Sequence, residues 1–299
     1  MEAFLVSVLI AATPLLLAAT GELVAERAGV LNLGVEGMML IGAVAAFAVA
    51  YHTGSAPLAV LAGAGAGLAI AGLFAWIALY CMANQMATGL ALTIFGIGAS
   101  GLIGQGFVGE TVAPLTGFDP GGGALARILF GQDLLVYLGL ALCLGTGAFL
   151  GRTRPGLMLN AVGDNAGAAH ALGLPVRRIR VLAVLYGGAM AGLGGSYLSI
   201  VYTPMWGEEM TAGRGWIALA LVVFATWRPL RLLFGAWFFA AVSQLQFYGS
   251  EIGLALPSQF LAMAPYALTI AALVLISQNT ALTRRHQPAE IGRPFRPDR

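Results

Sequence analysis

A chain of 299 residues with 59% apolar and 9% charged residues, a mean hydropathy of +0.86 and a formal charge of +2 exposes more apolar surface than one water-soluble core can hide. It is read as a membrane protein on composition alone. All fifteen basic residues are arginine. Without lysine the chain holds neither a Walker A phosphate loop nor a Schiff-base lysine, so any ATP that drives it must bind another polypeptide.

Apolar runs fall near 3–20, 36–51, 57–81, 86–107, 133–151, 181–202, 215–227, 232–249 and 259–278. Crossing about 30 Å of hydrocarbon takes about 20 apolar helical residues, and none of these runs alternates as a barrel strand would. The expected fold is all-α and polytopic, with about eight to ten transmembrane helices in one domain over 1–283. The first run has no basic residue before it and no small-residue cleavage site after it, so it is expected to stay as a span. The seventh run is short, and the second opens in a polar motif.

That motif, Gly21–Gly42, places Glu22, Glu26, Arg27, Asn32 and Glu36 in an otherwise apolar stretch. A polar, glycine-flanked break between apolar segments has the pattern of a discontinuous helix, whose unwound backbone must be buried in protein or line a cavity. An ordinary loop would read the same way, and both readings stay open at this stage. Polar groups inside spans are costly unless they face a cavity or pair across helices. The candidates for a solute path are Asn32, Glu36, Asn84, Gln85, Thr88, Thr93, Ser100, Gln105, Ser243 and Gln244. This largely uncharged set suits a neutral polyol or nucleoside better than an ion.

Gly96–Gly101 matches G-x-G-x-x-G but lies inside an apolar helical run, where a dinucleotide loop cannot form. The loop 152–180 carries Arg152, Arg154, Arg177, Arg178 and Arg180, which marks it as cytoplasmic. Alternating spans then put the C-terminus inside as well, leaving Arg127 and Arg214 on the other side. Within this loop, Gly163, Asp164, Asn165, Ala168, Ala169 and Gly173 outline a short alanine-rich helix, with Asp164 as the expected N-cap and Gly173 just past its end. So short a helix is marginal alone and is expected to lean on a partner surface. A third segment, Gly213–Pro229, enters from a glycine-rich turn and leaves at Trp227–Arg228–Pro229, an aromatic and a cation at the interface. The tail 284–299 is polar and expected to be disordered. His52, His170 and His286 are scattered, and Cys81 and Cys143 are far apart. No metal, cofactor, catalytic group or nucleic-acid partner is expected.

The three segments, above all Glu26–Ala43, resemble the permease family of ABC importers for branched-chain amino acids, ribose and related sugars, and nucleosides. The form of Glu26–Ala43 is closest to the nucleoside and simple-sugar branch. The resemblance runs over roughly 5–278. It implies a non-enzymatic, multi-pass permease of the bacterial inner membrane, moving its solute by alternating access. In that family the counterpart of Gly163–Gly173 is the coupling helix that docks on the ATPase. The resemblance also implies ABC ATPase subunits, a second permease subunit that is a paralogue or an identical copy, an extracytoplasmic solute-binding protein or lipoprotein, and surrounding membrane lipid. A branched-chain amino acid permease and an ion-coupled secondary transporter are the alternative readings.

Overall fold

The structure is a computed structural model in which residues 2–115, 117, 121, 123–248, 258–278 and 287–296 are described. The described residues are almost wholly helical, and an isolated antiparallel bridge pairs Thr111 with Met205. In chain order the helices are α1 (Glu2–Arg27), α2 (Val35–Thr53), α3 (Ala56–Ala75, continued by a π-helical turn to Tyr80), α4 (Gln85–Gly104), α5 (Ala124–Phe130) and α6 (Leu134–Arg152). Then follow α7 (Arg154–Asp164), α8 (Ala166–Ala171), α9 (Val176–Tyr197, continued by a π-helical turn to Tyr202), α10 (Arg214–Phe224), α11 (Pro229–Tyr248) and α12 (Ser258–Gln278). Among the described residues, seven helices are long and apolar enough to cross a membrane: α1, α2, α3, α4, α6, α9 and α11. The twenty-one residues of α12 are of similar length. The chain is an all-α polytopic membrane protein.

The seventh apolar run behaves differently. Only its eleven residues Arg214–Phe224 are helical, a rise of about 16 Å that reaches roughly half the hydrocarbon thickness. The chain before it, from Thr203 to Gly213, returns without regular structure and passes through left-handed backbone at Glu209, Ala212 and Gly213. Thr226 and Trp227, just past its end, also have positive φ. A β-branched and a bulky residue in that region are strained, and they hold it only where their surroundings fix them.

Helix α9 forms the centre, packed on α1, α2 and α3. Lipid supplies no hydrophobic drive between helices, so these contacts depend on close backbone approach. A Cβ at Gly192 would meet Gly63 O at 2.2 Å, and one at Gly67 would meet Gly188 O at 2.2 Å. The glycines of the second, third and sixth apolar runs, Gly42, Gly63, Gly67, Gly188 and Gly192, thus form a packing seam. Gly96–Gly101 lies within α4, as its apolar context required.

The helix ends gather on two faces. One face collects the C-terminal end of α1, the end of α3, the start of α4, α7, α8, the start of α9 and Trp227, with most of the arginines. The α1–α2 connection there is buried: Ala28, Val30 and Asn32 are at most 1% exposed. This resolves the open reading of Gly21–Gly42 in favour of an unwound segment inside the protein. The tail also departs from expectation over 287–296. Glu290 N–H donates to Gly163 O (2.9 Å), Gly292 N–H to Gly29 O (3.2 Å), and Arg180 Nη1 to Arg293 O (2.9 Å). Ile291 and Phe295 are the reason: each packs on a core cluster, and the Phe295 ring lies 5.5 Å from that of His170. Two apolar anchors in a polar tail are enough to order it locally. Residues 284–286 and 297–299 lie outside the described residues.

Candidate functional site

The polar break and the half-helix, far apart in sequence, meet at the centre of the molecule. Glu36 sits in the first turn of α2, and its carboxylate also lies at the N-terminus of α10. Its Oε1 accepts from Thr211 Oγ1 (2.5 Å) and Gly213 N (2.9 Å), and its Oε2 from Gly215 N (2.6 Å). Two helix N-termini thus share one carboxylate, where their dipoles and free N–H groups favour negative charge. A Cβ at Gly215 would stand 2.6 Å from the Glu36 backbone, so only glycine fits there.

The same motif grips the other end of α10. Glu26 Oε2 accepts from Trp227 Nε1 (2.5 Å), and Arg27 donates through Nη2 (2.8 Å) and Nε (3.2 Å) to Trp227 O. These bonds hold Trp227 in its strained backbone. One turn earlier on α1, Glu22 Oε1 accepts from Asn32 N (3.1 Å), while its Oε2 has no partner although it is buried. Asn32 folds its own break: Gly34 N–H donates to Asn32 Oδ1 at 2.9 Å, an Asx turn.

Helix α4 closes the break from the side. Leu31 N–H donates to Gln85 Oε1 (3.0 Å), Thr93 Oγ1 to Leu33 O (2.9 Å) and Ser100 Oγ to Leu40 O (3.2 Å). Asn84 caps α4 by accepting from Ala87 N (3.0 Å), and Thr88 donates to Asn84 O (2.8 Å). Ser243 bonds within its own helix to Phe239 O, and Gln244 Nε2 reaches Ser7 O (3.4 Å), far from the break. Of the ten sequence candidates, Asn32, Glu36, Gln85 and Thr93 are therefore brought together around the break, and Ser100 ties α4 to α2 further along, at Leu40. Asn84 and Thr88 cap α4 beside it, and Ser243 and Gln244 lie elsewhere. Gln105 is exposed, and with Ser100 it lines a cavity of about 370 Å³ that also takes in Leu40, Ile97, Glu208 and Glu209. That volume falls in the usual range for small-molecule sites.

The two glutamates at the rim, and the clamp residues Glu26, Trp227 and Thr211, were not among the candidates. Glu208 and Glu209 read as loop residues because the chain's return into the bundle has no apolar signature. Glu22 and Glu26 had a usable signal: two carboxylates four apart in an apolar helix share a face.

The loop 152–180 is a helix pair, and its cap differs from expectation. Asp164 is the last residue of α7, and Asn165 is the N-cap of α8, accepting from Ala168 N at 2.9 Å. The reason is that α7 already uses the Asp164 backbone, so the turn between the helices falls one residue later. Gly173 stands just beyond α8 with φ +82°, the left-handed conformation expected of it. Ala169 is buried against Val162 and Val176, whereas Ala168 is exposed. A Cβ at Gly163 would meet Arg27 O at 2.0 Å. The helix pair therefore rests directly on the residues that clamp α10. Arg180, 1% exposed, joins the layers by donating from Nε to Ala28 O (3.1 Å).

Residues 4–277 match the family model described as branched-chain amino acid transport system, permease component. The chain is 38% identical to the putative glucose ABC transporter permease protein TsgC13 of Haloferax volcanii, over 94% of this chain and 93% of the relative. It is 32% identical to the guanosine ABC transporter permease protein NupQ of Bacillus subtilis, over 89% of each chain. It is 30% identical to the nucleoside ABC transporter permease protein NupC of Lactococcus lactis, over 92% of each. The break, the half-helix and the helix pair thus stand in a chain that belongs to the permease-component family of branched-chain amino acid transport systems.

Proposed function

We propose that the protein is the membrane subunit of an ATP-driven importer, and that it forms half of the path for a nucleoside or a simple sugar. One observation carries the mechanism: the α7–α8 pair rests on the residues that hold the end of α10, through Gly163, Gly29 and Arg27. A displacement of the pair by an ATPase partner would pass to Glu26, Arg27 and Trp227, and from there to α10, whose far end faces Glu36. A nucleotide shifts such an equilibrium only by its differential affinity for the two states. Here that difference is supplied by the docked pair.

The solute assignment is supported by relatives named for glucose, guanosine and nucleosides, and by the chemistry of the cavity. Gln105 and Ser100 offer neutral hydrogen bonds, and Glu208 and Glu209 at the rim suit the hydroxyls of a sugar or ribose. The open α4 face, with Ile94 and Leu102 each 72% exposed, is where a second permease subunit would complete the path. An extracytoplasmic binding protein or lipoprotein would deliver solute to the cavity mouth. The arginine-rich face, with α7 and α8, is cytoplasmic in this reading. The ion-coupled alternative is not favoured, and neither is the amino acid one.

Uptake competition in a strain that depends on this system tests the solute. Nucleosides or pentoses and hexoses should compete, and leucine should not; the reverse pattern rejects the assignment. For orientation, single cysteines at Arg178 and Arg296, in a chain with Cys81 and Cys143 replaced by serine, should resist an impermeant reagent added to intact cells. Labelling of both would reverse the topology. For coupling, Ala168→Trp should leave the complex assembled and hydrolysing ATP while uptake falls at least tenfold, because Ala168 is the exposed face of α8. Normal uptake would return the pair to the status of a connector.

A further inference from the structure

We propose that the groove between α6 and α9 is a binding site for an anionic phospholipid, with one acyl chain in the groove and the phosphate on Arg152, Arg154 and Arg178. The groove holds about 410 Å³ and is lined by Ala141, Gly145, Phe149, Ile179, Leu182 and Tyr186, among other residues, with Val24 of α1 behind it. From Ala141 to Phe149 it runs about 12 Å along α6, within the membrane-crossing part of the helix. Its lining is apolar but for two hydroxyls, Thr146 Oγ1 and Tyr186 Oη, which bond each other at 2.8 Å. These two hydroxyls pair with each other and the rest of the lining is apolar, so the groove suits hydrocarbon.

The charge at one end selects the headgroup. Pro155 and Ile179 line the groove beside Arg154 and Arg178, and Arg152 lies one turn beyond Phe149. All three arginines are exposed, and none has a hydrogen bond or ion pair among the described residues. Three unpaired guanidinium groups at the end of an apolar slot match a phosphate above a chain. Anionic lipids gather at such basic interfacial clusters. A second protein subunit would have to bring carboxylates to this spot, and the larger exposed apolar faces lie on α3 and α4. The inference does not depend on the transported solute.

The test uses the permease purified from nanodiscs of equimolar phosphatidylglycerol and phosphatidylcholine, with retained lipid read by native mass spectrometry. The unmodified protein should keep phosphatidylglycerol about tenfold over phosphatidylcholine. Arg152→Gln, Arg154→Gln and Arg178→Gln together, all at the surface, should equalise the two lipids. Gly145→Leu should abolish retention of both; a Cβ there meets nothing within 4 Å, so the change fills the groove without straining the helix. Equal retention by the unmodified protein, or undiminished retention with Gly145→Leu, overturns the proposal. So does release of a second permease subunit by Gly145→Leu while phosphatidylglycerol stays bound, which would make the groove a subunit seam.

Discussion

The two ends of α10 are held by the same stretch of sequence but by unlike chemistry. At its N-terminus, Glu36 receives three donors, and its negative charge agrees with the dipoles of two helices. At its C-terminus, Glu26 receives one donor, and a negative charge there would oppose the local dipole. Arg27 supplies the favourable cation there, by bonding Trp227 O. A second buried carboxylate, Glu22, lies one turn away with a free oxygen. The difference teaches which end is the anchor. The Glu36 end gathers three donors on one carboxylate, while the Trp227 end divides three bonds between Glu26 and Arg27 and touches the helix pair that a partner would move. A half-helix anchored on one carboxylate at one end and clasped beside the helix pair at the other can swing without losing its seat.

Breaking the anchor should have the largest effect. Hydrogen bonds to a charged group are worth about 1.5–3 kcal/mol each, and orphaned buried donors add their own penalty. Glu36→Ala removes three such bonds and should cost about 5 kcal/mol or more, seen as a large fall in thermal midpoint in detergent together with loss of uptake. Glu36→Gln keeps the shape but must turn its amide N–H₂ toward a helix N-terminus, so it should recover little. Full stability of either variant would remove the anchor from the account.

Loosening the clasp should do less to stability and more to coupling. Trp227→Phe deletes one hydrogen bond to a carboxylate and should cost about 2 kcal/mol. Uptake per ATP hydrolysed should fall further than the thermal midpoint suggests. Arg27→Gln, which loses the cation at the C-terminus of α10, should behave alike with an effect of about 1 kcal/mol. Equal losses of stability and coupling in both Glu36 and Trp227 variants would erase the distinction between anchor and clasp.

Much of this arrangement could be read before any coordinates, and the reason is chemical. Apolar runs long enough to span carry their own signature, so α1–α4, α6, α9 and α11 were expected close to where they lie. Gly21–Gly42, Gly163–Gly173 and Gly213–Pro229 stood out because polar and glycine residues are expensive in a membrane. What could not be read was which of them touch. Glu36 looked like a lining residue because an intramembrane carboxylate is usually functional, yet its oxygens are occupied by α10. Ala168 and Ala169 were equivalent in sequence, and only packing turns one outward and the other in. The order of 287–296 was missed because it depends on two apolar residues finding a surface made by distant segments.

The smallest effect expected is also the most informative about the clasp. Glu22 Oε1 accepts from Asn32 N–H, while Oε2 is buried with no donor. Glu22→Gln keeps the accepting oxygen in place and exchanges the unpaired oxygen for a neutral amide. The lost term is the cost of a carboxylate oxygen held away from water, and the new one is an amide with no acceptor. The two are similar in size, so stability should change by no more than about 1 kcal/mol in either direction. Glu22→Gln leaves the Glu26–Trp227 bond in place and should leave uptake intact. Glu22→Ala provides the contrast: it takes away the acceptor for Asn32 N–H as well and leaves a void in place of a buried side chain, so it should cost about 2–3 kcal/mol. A Glu22→Gln protein that folds normally and assembles with its partners but transports nothing would show that the free carboxylate takes part in the transport cycle. The clasp would then be a working group with chemistry of its own, and the division into a fixed end and a moving end would have to be redrawn around α1.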